Sequence, residues 1–217
     1  MNKVSVIINN RDLLTWPKEM VEKIKCYENV GDIFIIDNNS TYEPLLKWYD
    51  TKPCEIIKLD KNIGHTAPWD CGVVNDINGY YVVSDPDLGI NETPNNTLTY
   101  LVEKLEKLKI PKIGLGLRWD LTPIDSPYYF HIINYERKRF NNSQVIDGIH
   151  VNVPMDTTFA LYSEKKYFIG GGCTEGDYMA KHYPWYLTNA QRLNNKEFMY
   201  YINNANNSSS YKTYLHL

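Results

Sequence analysis

Residues 4–90 alternate between two hydrophobic periodicities, and this alternation constrains the fold more than any other feature of the chain. "VSVII" (Val4 to Ile8), "DIFIID" (Asp32 to Asp37), "EIIKL" (Glu55 to Leu59) and the run opening Tyr80-Tyr81-Val82-Val83 are short, apolar and rich in β-branched residues. Such runs read as buried strands. The segments between them carry apolar residues at helical spacing. Met20, Val21 and Ile24 share one face of a helix expected from Trp16 to Tyr27, with Thr15 or Trp16 as its cap and Pro17 in its first turn. Ser40-Thr41-Tyr42-Glu43 has the spacing of a capping box. Leu45, Trp48 and Tyr49 form the inner stripe of the helix it would open. Thr66 to Ile77, with Pro68 near its start, is a third helix. Strand–helix alternation with short connections predicts an α/β fold, a mostly parallel sheet with helices on its faces.

The pattern continues with a helix from Asn95 to Lys109 and a strand from Lys112 to Arg118, whose glycines mark close backbone approach. It then breaks down. Asp156 to Tyr162 is a strand candidate, Gly170 to Gly176 a flexible loop, and residues 203–217 a polar, weakly structured tail. No repeat or linker divides the chain, so a single domain over 1–217 is expected.

Composition narrows the function. A net charge of −3 over 217 residues gives no electrostatic case for nucleic acid. No apolar run approaches the roughly 20 residues that span a bilayer, so no transmembrane segment is expected. The N-terminus lacks the apolar core and cleavage site of a signal peptide. Cys26, Cys54, Cys71 and Cys173 form no C-x-x-C pair, which argues against zinc and for reduced thiols in a cytoplasmic protein.

Ligands of parallel sheets bind beyond the carboxyl ends of the strands. Here the first four strands run into "NNR" (Asn9, Asn10, Arg11), "DNNS" (Asp37 to Ser40), "DKNIG" (Asp60 to Gly64) and "DPD" (Asp85 to Asp87). Taken alone, Asp85-Pro86-Asp87 is a passable turn. At the fourth of four polar strand ends it reads instead as a site for a hard divalent cation. The chain has no G-x-G-x-x-G after its first strand, no G-x-x-x-x-G-K-[ST] and no G-x-S-x-G, which argues against a nicotinamide dehydrogenase, a P-loop enzyme and an α/β-hydrolase. Without a phosphate-cradling loop, a metal at Asp85 and Asp87 would be the means of neutralising phosphate.

"VSVIINNRDLL", "IFIIDNNST", "LDKNIGH" and "YYVVSDPDL", in this order, resemble the GT-A nucleotide-sugar glycosyltransferases, most closely family 2-type enzymes. "MDTTFALY" and "KHYPWYL" are similar to segments of short glycosyltransferases from bacterial polysaccharide clusters and large DNA viruses. The resemblance is weakest between Leu121 and Val151. It implies a GT-A (Rossmann-like) fold with a nucleotide-binding half (1–90) and an acceptor or catalytic half (91–217), which could be one domain of a longer chain. It implies transfer of a hexose or deoxyhexose from a nucleoside-diphosphate sugar, UDP first, to a glycan or glycoprotein hydroxyl, with Mn²⁺ or Mg²⁺. By the same resemblance Asp37 and Asn38 contact the nucleobase beside Asn9, Asn10 and Arg11. Asn62 and Gly64 line the donor pocket, Asp85 meets the ribose and the metal, and Asp87 is the main metal ligand. Asp156 is the catalytic base of an inverting displacement, and His182 is a candidate third ligand.

Each assignment has a competitor. Asp156 could cap a turn, with Asp120, Asp125, Glu175 and Asp177 as rival bases. His65 follows Gly64 and is a further donor-pocket candidate. Trp69, Trp119, Trp185 and Tyr183 suit sugar stacking or core packing equally. Arg118 suits a phosphate, an acceptor carboxylate or a surface pair. Two other functions stay open: a sugar-phosphate nucleotidyltransferase, whose glycine-rich basic loop "NNRDLL" does not supply, and a non-catalytic nucleotide- or glycan-binding domain.

Overall fold

The computed structural model describes residues 3–119, 122–126 and 129–205. The first half runs β1 (Val4–Asn10), α1 (Thr15–Ile24), β2 (Val30–Asp37), α2 (Glu43–Tyr49), β3 (Glu55–Lys58), α3 (Ala67–Asp70), α4 (Val73–Asp76) and β4 (Tyr81–Ser84). The second half runs β5 (Leu88–Gly89), α5 (Thr97–Leu108), β6 (Lys112–Gly114), β7 (Gly116–Leu117), α6 (Tyr129–Asn141), β8 (Gln144–Ile146), β9 (Ile149–Val151), β10 (Ala160–Tyr162), β11 (Gly172–Thr174), β12 (Met179–His182), α7 (Asn189–Asn194) and α8 (Lys196–Asn204). Among the described residues, nine strands form one sheet in the order β3-β2-β1-β4-β10-β6-β11-β9-β8, and β5-β12-β7 form a second.

Alternation along the strands sorts their side chains into two cores. Val4, Val6 and Ile8 of β1 pack with Met20, Val21 and Ile24 of α1 and with Leu45 and Tyr49 of α2. Ile7 points the other way, into a cluster with Ile36, Val83, Ala67 and Val74. Each such fully buried aliphatic side chain contributes about 1.5–3 kcal/mol of transfer free energy. Burial on both faces explains why these strands are continuously apolar.

The parallel sheet predicted from alternation holds for β3, β2, β1 and β4, which are all parallel neighbours. The second half departs from it. β10 enters antiparallel between β4 and β6, so the sheet is mixed. The strand expected over Asp156–Tyr162 covers only its last three residues. The strand expected over Lys112–Arg118 divides, β6 joining the large sheet and β7 the small one. Gly116 lies at the division, where a Cβ would overlap the Thr174 carbonyl oxygen. The helix expected over Thr66–Ile77 is two short turns, broken at Gly72, whose φ of 85° is left-handed. The glycine run 170–176 is not a flexible loop. Gly172–Thr174 is the buried strand β11 between β6 and β9. Of the expected tail, residues 203 and 204 end α8, Ala205 is buried, and residues 206–217 lie outside the described residues.

Two helix starts are satisfied from a distance instead of by the expected local caps. The Ser40–Glu43 capping box does not form, and Tyr42 is the N-cap of α2 with no side-chain cap bond. The Thr41 and Tyr42 N–H groups donate instead to Asp12 Oδ1, at 2.6 and 2.9 Å. Ser40 Oγ is occupied by the Asp12 N–H at 2.9 Å. Thr15 is already helical, and the α1 start donates from Leu14 N and Thr15 N to Glu197 Oε1 of α8, at 2.7 and 2.9 Å. Asp12 is fully buried. Asp12→Ala should therefore lower stability by about 3 kcal/mol, because two charge-assisted bonds vanish and two donors are left without their partner. Urea denaturation would measure this; a loss under about 0.5 kcal/mol, the ordinary range for surface changes, would contradict it.

Candidate functional site

The carboxyl ends of β1 to β4 surround a cavity of about 250 Å³. Asn9, Asn10 and Arg11 line it from β1, and Asn38 from just after β2. Asn62, Gly64 and His65 line it from the loop after β3, and Asp85 and Pro86 from the end of β4. Eight of the nine residues expected to bind the nucleotide thus meet in one place. Asp37 is the exception. It is buried beneath the cavity, where its carboxylate accepts from Ser40 N at 3.2 Å and from the Tyr49 hydroxyl at 3.4 Å. Burial raises the Asp37 carboxyl above its usual range, with the Ser40 bonds opposing the shift. Its carboxylate thus braces the loop after β2, and Asp37 is not among the residues that line the cavity.

The cavity wall is held by amide side chains. Asn38 Oδ1 accepts from Ile63 N at 3.0 Å, and Asn38 Nδ2 donates to Asn9 Oδ1 at 2.6 Å and to Gly64 O at 3.0 Å. Asn9 Nδ2 adds a second bond to Gly64 O at 3.1 Å, and Asn62 Oδ1 accepts from Gly64 N at 2.9 Å. One loop is thereby fastened to the ends of two strands. Gly64 has φ 90°, and a Cβ there would meet no atom within 4 Å. Glycine is required by backbone conformation, not by crowding.

The DPD turn is fastened to the loop before β10. Asp85 N–H donates to Thr157 O at 3.0 Å, and the Thr157 hydroxyl donates to Asp85 Oδ1 at 2.7 Å. Burial first, then the charge of Asp87, hold the Asp85 carboxyl well above the usual carboxylate range, although the Thr157 bond opposes them. The pairing of β5 with β12 sets His182 opposite Leu88 and places His182 Nε2 3.4 Å from Asp87 Oδ2. The buried Glu136 of α6 lies close enough for His182 to act on its carboxyl, which burial raises and its Arg139 partner at 2.5 Å lowers. Among the described residues no three His, Cys, Asp or Glu side chains form a ready-made metal cage. Asp87 and His182 are brought together, while Asp85 Oδ1 is turned to Thr157.

Asp156 is exposed beside this turn, and its charge reaches Asp85. Its Oδ1 accepts from the Tyr167 hydroxyl at 3.0 Å. Of the rival bases, Glu175 pairs with His150 at 3.1 Å, Asp125 and Asp177 are exposed elsewhere, and Asp120 lies outside the described residues. The aromatic candidates are in packing roles. Trp69 donates to the Tyr81 hydroxyl at 3.0 Å, Tyr183 stacks on Trp16, Trp185 packs edge-on to His182, and Trp119 packs against the Leu13–Phe198 cluster. Arg118 lies 3.8 Å from Glu92.

Several contributors were not foreseen. Tyr201 and Ala205, at the end of α8, close the cavity. Lys112 is fully buried under the acidic group, donating from Nζ to Met155 O at 2.6 Å and Phe168 O at 2.8 Å. Burial pulls its pKa down to about 8, and the charges of Asp156 and Asp85 resist that. One signal for Lys112 was available, a lysine opening an otherwise apolar strand. Thr157 and Tyr201 carried none.

No protein-family model matches the chain, and no curated protein matches it. Solved structures do. The mannosyltransferase PcManGT from Pyrobaculum calidifontis, in complex with GDP-Man and Mn²⁺, is similar over 82% of this chain at TM-score 0.53 and 12% identity. The chain spans 56% of that protein's length. Glucosyl-3-phosphoglycerate synthase from Mycobacterium tuberculosis, with Mn²⁺, UDP-Glc and phosphoglyceric acid, is similar over 75% of this chain and 56% of its own, at TM-score 0.48 and 14% identity. At these identities the likeness is one of fold, and the fold is of the GT-A glycosyltransferase type.

Lys112→Met should leave the buried Met155 carbonyl without its donor, at about 1–3 kcal/mol, and the half-buried Phe168 carbonyl at less. The expected result is a lower melting temperature, with amide exchange accelerated first in residues 155–168. Unchanged exchange in that segment would show that Lys112 does not hold it.

Proposed function

We propose that this GT-A-type chain is a divalent-metal-dependent glycosyltransferase that takes its sugar from a nucleoside diphosphate, UDP being the first candidate. One observation carries the reading. The DPD turn, the amide-lined cavity and the Asp156 loop meet at one sheet edge, with Thr157 bonded to Asp85. The PcManGT complex with GDP-Man and Mn²⁺ supports it by shared fold.

The donor set suits a hard divalent ion, Mn²⁺ or Mg²⁺. Asp87 and Asp85 supply carboxylate oxygens and His182 a ring nitrogen, and such ions take their remaining ligands from substrate phosphates and water. When bound, the metal offsets the charge that develops on the leaving diphosphate. The residues of the chain do the rest. Asn9, Asn38 and Gly64 shape the nucleoside end of the cavity. Lys112 and Thr157 fix the loop that carries Asp156. Asp156 accepts the proton of the attacking acceptor hydroxyl, a glycan hydroxyl in this reading. A single displacement with such a base inverts the anomeric centre.

Asp87→Ala should abolish Mn²⁺-dependent release of nucleoside diphosphate in a protein that still folds. Near-normal turnover would reject the metal role. Pyrophosphate release from nucleoside triphosphate and sugar phosphate would point to a nucleotidyltransferase. Asp156→Asn should keep donor affinity within about twofold and lower transfer at least a hundredfold, the low end of what general-base catalysis supplies. Loss of donor binding, read by calorimetry, would reject the base assignment.

The raised pKa of Asp85 gives a pH dependence with a definite sign. Mn²⁺ must displace the Asp85 proton, so affinity should rise as pH rises above the ordinary carboxylate range and level off once Asp85 is ionised. Asp85→Asn should flatten that profile. A Mn²⁺ affinity that falls with pH would contradict the assignment.

A further inference from the structure

α8 is packed as a wall across the nucleoside side of the cavity. Phe198 and Ile202 are its buried stripe, Ala205 is buried at its C-cap, and Tyr201 is half-buried, packed against the same Leu13–Phe198 cluster. Phe198 meets Trp16 of α1 edge-on at 6.0 Å. The helix is pinned at two points. Glu197 accepts from the start of α1, including the Thr15 hydroxyl at 2.6 Å. One turn on, the Tyr200 hydroxyl bonds Thr41 Oγ1 at 3.0 Å and its ring packs on Tyr42 at 5.0 Å. Thr41 and Tyr42 follow β2, on the far side of β1 from β4 in the strand order. With the diphosphate at the β4 end, by Asp85, the opposite end of the cavity is where a base would lie. Tyr201 and Ala205 line this cavity together with Asn9, Asn38 and Gly64.

We infer that Tyr201 is the stacking surface for the donor nucleobase, and that the docking of α8 through Glu197 sets donor affinity. The inference rests on the nucleotide reading of the cavity. The physical reason is the chemistry of the wall. Asn9, Asn38 and Asn62 spend their amides largely on one another and on the Gly64 loop. Of the flat groups that line the cavity besides these amides, the Arg11 guanidinium lies against Asp12 and the His65 ring meets Tyr167 edge-on, and the Tyr201 ring is the one that α8 carries. Stacking of this kind is tolerant of base identity. Tyr201 therefore contributes affinity for any nucleoside diphosphate.

Two probes separate this inference from the reading beneath it: UDP with Mn²⁺, and inorganic pyrophosphate with Mn²⁺, each measured by calorimetry on the full chain. Tyr201→Ala should weaken UDP by roughly tenfold or more and leave pyrophosphate within about twofold. Tyr201→Phe should restore UDP affinity, because the ring stacks and the hydroxyl does not. Glu197→Ala, which releases the helix without touching the ligand, should weaken UDP in the same sense, with GDP and CDP following in parallel. Wild-type UDP affinity in Tyr201→Ala would overturn the inference while leaving the nucleotide reading intact. Equal losses for UDP and pyrophosphate would overturn it as well, by assigning Tyr201 to folding of the site. If the wild-type protein binds none of the three nucleoside diphosphates, the nucleotide reading falls and the inference falls with it.

Discussion

The pairing of β10 with β4 is the contact on which the geometry of the site depends. Ala160 lies opposite Val83 and Leu161 opposite Val82, in antiparallel register. That register delivers Thr157 to Asp85 and sets Asp156 beside the DPD turn. A slip of one residue would turn Leu161 and Tyr162 to the opposite faces of the sheet, exchanging the two cores they occupy. Small residues permit the fit. A Cβ at Gly114 would lie 2.9 Å from Met155 Sδ and 3.1 Å from Ala160 Cβ. The strand that follows the acidic loop can thus lie flat against both neighbours.

The acidic group itself is expensive. Asp85, Asp87 and Asp156 repel one another, and Asp85 is raised by burial before any of its neighbours act. The protein offsets this with fixed partners: the Thr157 hydroxyl on Asp85, His182 on Asp87, and the Lys112 ammonium beneath. Lys112 serves two ends, since its charge faces the carboxylates while its hydrogen bonds hold the carbonyls of Met155 and Phe168. Concentrated like charge of this sort is unfavourable for folding, and it is a recurrent property of functional sites.

Much of the first half was legible because each strand there is an uninterrupted apolar run, buried on both faces, with helical spacing between. The strand ends then fell on one edge by topology, and together with the family resemblance this named eight cavity residues without knowledge of a single contact. The second half resisted for physical reasons. β6 and β10 have three residues each and β7 has two, too few for periodicity to register. Glycines 170–176 suggested flexibility, yet a Cβ at Gly171 would lie 2.6 Å from Lys112 O and one at Gly172 would lie 2.8 Å from Ile149 Cγ2. They mark close packing. The capping box at Ser40 failed because both of Ser40's groups are already taken, its hydroxyl by the Asp12 N–H and its own N–H by Asp37, and the first of these partners is too far along the chain to leave a local trace. Asp37 likewise faces its own loop, bonded to Ser40 and Tyr49, as a strand-end carboxylate can as readily as it faces a cavity.

The Glu197 carboxylate that closes the start of α1 has a consequence for how the cavity is assembled during synthesis. Thr15 and Glu197 are 182 residues apart in sequence. At translation rates of about 5–20 residues per second, roughly ten to forty seconds separate their appearance. During that interval β1 to β4 can pair, because every strand of the parallel half is already made. The first helix meanwhile lacks its acceptor and the cavity lacks its far wall. A nascent chain can therefore own a folded sheet while the cavity at its edge is still open on one side. The cavity is complete only once the last described helix has emerged.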